Sequence, residues 1–278
     1  MSKVNAGPVI EEKEVESHAP NLYHSHTRAQ RINSLKELRP KDLEFFRQQG
    51  YLAIEQVFTA EQIAAAQQGI QDLIAGKKPD FRGIQREAAV SIDSVRPVRK
   101  LMSFVAYDER LKTMAQHPEL LSLIRRLIDD EPDLFQDMAL LKGPGGREKP
   151  WHQDSAYFDI AIDTPVIGLW IALDEANEKN GCLHILPGTH REGPSEHFKV
   201  RDWQICDSAV QTQRSAIVPL PPGGCLIWHG MLHHGSPTNR SDQPRNALQF
   251  HYKPIHSDSI STDERMQHFG GAVRGAQC

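Results

Sequence analysis

In the stretch WHQDSAY (151–157), His152 and Asp154 stand two positions apart, a spacing that on a β-strand turns both side chains to one face. An imidazole and a carboxylate on one face can share a cation. The pair is not sufficient alone, because His-Asp pairs also serve as hydrogen-bonded structural units. Candidates for a third ligand come from WHGMLHHGSPTNRSDQPRNALQFHY (228–252), which carries His229, His233 and His234 beside a strand-like run. Two histidines and one carboxylate on a β scaffold form the facial triad of non-haem iron(II) oxygenases, which leaves coordination positions open for a cosubstrate and O2. Arg245 follows His234 by eleven residues, and the midpoint falls at Asn239 and Arg240 in a turn-like segment. This interval predicts His234 and Arg245 on paired strands. A guanidinium so placed can clamp a dicarboxylate whose other end chelates the metal, with the Ser236 hydroxyl as a further donor.

These residues need a rigid frame, and the chain changes texture to supply one. From Pro40 the pattern is helical: KDLEFFRQQG ends at Gly50, and YLAIEQVF then reads as a short strand. A helix follows, with Thr59 as N-cap, Gln62 completing a capping box, and Ile63, Ile70, Leu73 and Ile74 on one stripe. HPELLSLIRRLIDDEP repeats the logic, with Pro118 in the first turn. Beyond Pro132 come short apolar runs separated by Gly, Pro and Asn: FQDMALLK, VIGLWIALD, CLHILP, AIVPLP, CLIWHG and ALQFHYK. Several gaps between these strands exceed a tight hairpin, which favours a jelly roll with crossing connections over a meander. Helices first and strands later define an α+β fold on a double-sheet core.

The motifs HQD (152–154), NGCLHILPGTHR (180–191) and HGS (234–236), with an arginine eleven positions after that histidine, resemble the phytanoyl-CoA dioxygenase (PhyH) family. The resemblance runs from about Leu43 to Tyr252 and is densest between Met138 and Phe250. It implies a cupin-like double-stranded β-helix with supporting N-terminal helices. It also implies a dioxygenase that uses Fe(II), with 2-oxoglutarate as cosubstrate and ascorbate as an accessory reductant. The activity implied is hydroxylation of an unactivated C–H bond of a small molecule by O2, with release of succinate and CO2.

Carried over residue by residue, the resemblance makes His152, Asp154 and His234 the iron ligands, with Arg245 and Ser236 on the distal carboxylate of 2-oxoglutarate. Trp170, Met138 and Lys100 would line the cosubstrate pocket. Among the three neighbouring histidines, only His234 precedes the Gly-Ser pair and gives the eleven-residue interval. Gln153 is expected to point away from the metal, and Tyr157 and Phe158 to face either the substrate or the core. Where the family often has Asp after the glycine of GGCLIWHG, Cys225 stands here, which removes no ligand. The competing chemistry for the same trio is a cupin-like hydrolase or isomerase with a Lewis-acid metal, which leaves Arg245 unexplained.

The remaining composition narrows the partners. Net charge is -4 with scattered Lys and Arg, so no basic stripe suggests nucleic acid, and no apolar run reaches the ~18 residues a membrane helix needs. A cytoplasmic location is expected. Cys182, Cys206, Cys225 and Cys278 lie far apart without a CxxC pair, which suggests reduced thiols. Residues 1–38 read as an arm, mobile or wrapped over the domain, and 39–278 as a single dioxygenase domain. The charged loop 76–100, with Lys77, Lys78, Arg82 and Arg86, and the loop 191–215 are the candidate selectivity segments. Neither the prime substrate nor the oligomeric state is specified by these patterns.

Overall fold

The computed structural model describes residues 18–87, 97–270 and 278. The arm residues before His18 and part of the first candidate selectivity loop lie outside them. The chain begins with β1 (Thr27–Arg28), β2 (Arg31–Ser34), α1 (Pro40–Gln49), β3 (Tyr51–Gln56), α2 (Ala60–Ile74), β4 (Ile84–Arg86) and β5 (Val98–Met102). It continues through α3 (Glu109–Ala115), α4 (Pro118–Ile128), β6 (Pro132–Lys142), β7 (Lys149–His152), β8 (Ile167–Ala172), β9 (Leu183–Ile185), β10 (His197–Lys199) and β11 (Trp203–Ile205). The last elements are β12 (Ala216–Val218), β13 (Cys225–His229), β14 (His234–Ser236), β15 (Arg245–Pro254) and α5 (Thr262–Phe269).

Local chemistry accounts for the helix ends. Pro40 opens α1, and Gly50 closes it at φ 79°, a left-handed conformation that glycine adopts without a Cβ penalty. At α2 the Thr59 hydroxyl accepts from the Gln62 amide while the Gln62 side chain accepts from the Thr59 amide, so two orphan donors are satisfied reciprocally.

The strands form two facing sheets, one of eight strands in the order β2-β3-β13-β8-β15-β6-β5-β4 and one of five in the order β1-β12-β9-β14-β7. This is the jelly-roll α+β fold expected, with β10 and β11 as a separate ribbon. Alternation splits the large sheet cleanly. Leu52, Ile54, Leu169, Ile171, Ile227 and Leu248 turn outward and pack with Phe46, Ile70, Leu111 and Ile124 of the helices. Tyr51, Ala53, Trp170, Ala172, Leu226, Trp228 and Ala247 turn inward and meet Leu183, Ile185 and Ile217 of the small sheet. β8 is buried along its whole length because it is covered on both sides, which explains its unbroken apolar spelling.

Three expectations are corrected. His234 and Arg245 do not lie on paired strands: β14 pairs with β7 and β9 in the small sheet, and β15 with β6 and β8 in the large one. The turn between them crosses from one sheet to the other, pinned by the Asn239 amide, which donates to the carbonyls of Lys142, Gly143 and Gln243. Asp154 is not on a strand either, since β7 ends at His152 and Asp154 opens a 3-10 turn. Cys206 and Cys278 are joined in a disulfide with Cα atoms 5.2 Å apart, because the chain end returns beside β11 over a separation of 72 residues. Cys182 and Cys225 are free and buried, and Cys225 sits in the core under the helices rather than at the site.

Candidate active site

The cavity between the two sheets measures about 310 Å³, and its wall includes His152, Asp154, His234, Ser236, Arg245, Trp170, Met138 and Lys100. All eight residues singled out by the sequence therefore meet in one space. His152 ends β7 directly across from His234, which begins β14, with ring centroids 4.2 Å apart. The turn after Gln153 swings the Asp154 carboxylate in beside them, Oδ1 lying 3.4 Å from His152 Nε2 and 3.7 Å from His234 Nε2. One ligand atom from each residue falls within 4.8 Å of the others.

The surrounding hydrogen bonds orient these three groups. His152 Nδ1 donates to the Pro150 carbonyl at 2.8 Å and His234 Nδ1 to that of Leu232 at 3.0 Å, which fixes the tautomer and leaves both Nε2 lone pairs facing the Asp154 oxygen. Burial pushes His234 down to about 3, so its imidazole stays neutral as a ligand must be. Asp154 Oδ2 accepts from Trp228 Nε1 at 2.8 Å and from His251 Nε2 at 2.9 Å. Burial opposes the charge of this carboxylate, but the imidazoles packed around it, with the bond that His251 donates, outweigh that and hold the group well below the usual range. Gly168 is required here, because a Cβ would lie 2.3 Å from the Trp228 ring that reaches Asp154.

At the other end, Arg245 begins β15 and is buried with Nε and Nη1 lacking any partner, its guanidinium 5.4 Å from the Trp170 ring. Burial lowers it to about 10, and Cys182 and Asp174 offset part of this. Lys142 lies across from Arg245 on β6 and donates to Ser236 Oγ at 2.7 Å. Met138 projects from β6, and Lys100 from β5, where burial and then the charge of Lys149 lower it to about 8.

The other expectations resolve individually. Gln153 points away from the trio, donating to the carbonyls of Gly193 and Met231 and accepting from the Ser195 amide. Tyr157 and Phe158 face the cavity, Tyr157 receiving a bond from Lys149 at 2.9 Å. His233 bonds to Ser195 and His229 accepts from the Met231 amide, so both belong to the loop framework. Lys77 pairs with Asp72, and Arg82 donates to the Pro79 and Phe81 carbonyls. Instead Gln85, Glu87, Arg99 and Arg147 line the mouth, with Glu87 paired to both arginines. Sequence reasoning missed Trp228, His251 and Lys142. Each lies on a strand whose inward face is set by alternation, and Lys142 stands four residues from Met138 on the same face.

The donor set fits the cofactors. Two imidazoles and one carboxylate suit a divalent iron centre, and a buried guanidinium with two nitrogens unpartnered among the described residues suits an organic carboxylate in the same cavity. A jelly roll with such a trio defines a non-haem iron oxygenase of the 2-oxoglutarate-dependent class. The chain belongs to the phytanoyl-CoA dioxygenase (PhyH) family, whose profile matches residues 46–247. It is 27% identical over 261 residues to mouse phytanoyl-CoA dioxygenase domain-containing protein 1, covering 77% of this chain and 89% of that protein. It is 26% identical to a probable alpha-ketoglutarate-dependent hypophosphite dioxygenase of Stutzerimonas stutzeri, covering 73% of this chain and 74% of the relative. In fold it is similar to EctD from S. alaskensis, solved with 2-oxoglutarate and 5-hydroxyectoine, at 20% identity and a TM-score of 0.67 over 88% of this chain and 85% of that one.

Proposed function

We propose that the protein hydroxylates an unactivated C–H bond of a small molecule: substrate, O2 and 2-oxoglutarate give hydroxylated product, succinate and CO2. The observation that carries this reading is the pairing, inside one cavity, of a three-ligand cluster with a buried guanidinium two of whose nitrogens lack partners among the described residues. His152, Asp154 and His234 hold Fe(II), and the bound iron and 2-oxoglutarate supply the activation of O2. Arg245 and Ser236 would hold the distal carboxylate, with Trp170, Met138 and Lys100 lining the same cavity.

The chain's own residues do the positioning. The carbonyls of Pro150 and Leu232 keep both imidazoles in the ligating tautomer, and Trp228 with His251 keeps Asp154 ionised and aimed. The apolar side chains of Met138, Leu140, Phe158 and Trp170 make part of the cavity wall water-poor. Residues 39–278 act as one catalytic unit in this reading. None of the described helices is long and apolar enough to cross a membrane, and a cytoplasmic place of action is part of the proposal.

Succinate release in the presence of Fe(II), ascorbate and 2-oxoglutarate, screened across candidate small molecules, tests it. A substrate should raise succinate above the uncoupled background in step with hydroxylated product. Turnover with Zn2+ and no 2-oxoglutarate would overturn it.

A further inference from the structure

Lys142 is a second basic group of the cavity, beside Arg245. It sits at the end of β6 in the large sheet, yet its ammonium reaches across the sandwich to β14 in the small one. Nζ donates to Ser236 Oγ at 2.7 Å, to the Pro237 carbonyl at 2.8 Å and to the Ser236 carbonyl at 3.5 Å. An ammonium has three hydrogens and no lone pair. Two of them are held in short bonds, and the lysine cannot turn fully to a ligand without giving one up.

The consequence falls on Ser236. Its oxygen accepts from Lys142, so its single hydrogen points elsewhere, and no acceptor for it is found among the described residues. The hydroxyl lines the same cavity as Arg245, and Lys142 is the cross-strand partner of Arg245 in the β6–β15 ladder. Burial and then the charge of Arg245 push Lys142 well below its usual range, Glu148 offsetting part of this, and neither cation has an ion-pair partner within bonding distance among the described residues. Two neighbouring buried cations without a counter-ion call for an anion to complete them.

We infer that Lys142 is a positioning residue for the cosubstrate: it orients the Ser236 hydroxyl to donate, alongside Arg245, to the distal carboxylate of 2-oxoglutarate. This rests on the 2-oxoglutarate reading above. Lys142 acts through Ser236 rather than by direct contact, and its charge adds to the potential that selects a dianionic over a monoanionic 2-oxo acid.

The test compares two ligands with the same chelating end, 2-oxoglutarate and 2-oxopentanoate, which has a methyl where the distal carboxylate would be. Each is titrated calorimetrically into Fe(II)-loaded protein under nitrogen. Lys142→Met should weaken 2-oxoglutarate roughly 10- to 100-fold, the scale for one hydrogen bond to a charged group, and leave 2-oxopentanoate within about threefold. Ser236→Ala, a smaller change that keeps Lys142, should show the same selective loss, and adding Lys142→Met to it should cost less than it does in the native chain. Equal losses for both ligands would mark Lys142 as merely structural and overturn the inference, as would unchanged 2-oxoglutarate affinity. Should Lys142→Met not fold, a Ser236→Ala protein without selective loss overturns it equally. Native protein that binds neither ligand would sink the parent reading itself, a result distinct from the others.

Discussion

The two ends of the cavity handle buried charge in opposite ways. Asp154 is complete in its orienting donors, since Trp228 and His251 satisfy one oxygen and leave the other facing the Nε2 atoms of His152 and His234. Arg245 is incomplete, with two nitrogens unpartnered and a second cation across the strand. A carboxylate aimed by fixed donors is pre-organised for a ligand that must not wander. A guanidinium left short of acceptors gains most from a ligand that supplies them, so the polypeptide keeps this end costly until the cosubstrate arrives.

The largest effect should come from the complete end. Asp154→Ala removes the only anionic ligand, and metal content and succinate release should both fall by more than the roughly 100-fold that marks loss of an outer partner. Retained metal with coupled turnover would mean that another carboxylate completes the trio.

At the incomplete end, Arg245→Ala should weaken 2-oxoglutarate by about 2 to 4 kcal/mol, as for one partner of a largely desolvated charge pair, while iron still binds. Calorimetry showing native affinity would move the clamp to another base such as Lys100. A subtler change sharpens the contrast: Trp228→Phe keeps an aromatic side chain but deletes the indole donor to Asp154, and iron affinity should drop about 10-fold. If it does not, Asp154 is aimed by His251 alone.

The smallest effect on metal is expected from Gln153→Ala. Its side chain makes three bonds to the loop backbone at 193–195 and 231, so iron affinity should stay within about twofold while stability falls by about 1 to 3 kcal/mol. Chemical denaturation beside metal titration separates the two readouts.

Much of this arrangement could be read from residue order. The family resemblance of the HQD and HGS motifs pointed to the trio, Ser236 and Arg245, which the fold brings into one cavity, and the six runs beyond Pro132 follow from alternation and turn residues. What stayed hidden depends on pairing between distant segments. His251 and Trp228 meet Asp154 only because β13, β8 and β15 are neighbours with Gly168 opposite both residues, and no local pattern states that register. The interval from His234 to Arg245 looked like a hairpin because loop length says nothing about which sheet a strand joins. Asp154 lay beside His152 for a different reason than strand alternation: the turn after Gln153 delivers it.

The first two strands cap one edge of each sheet at once. β1 adds in parallel to β12 at the edge of the small sheet, and β2 adds in parallel to β3 at the edge of the large one. Between β1 and the first described residues, Tyr23 stacks on Trp151, the residue just before His152, with ring planes 11° apart. A chain shortened to start at Pro40 would thus bare the backbone donors and acceptors of β3 and β12 together, each an open template for a strand from another molecule. Its first fault would be sociability rather than inactivity: light scattering should show particles growing with concentration, even while the eight cavity residues are all still encoded.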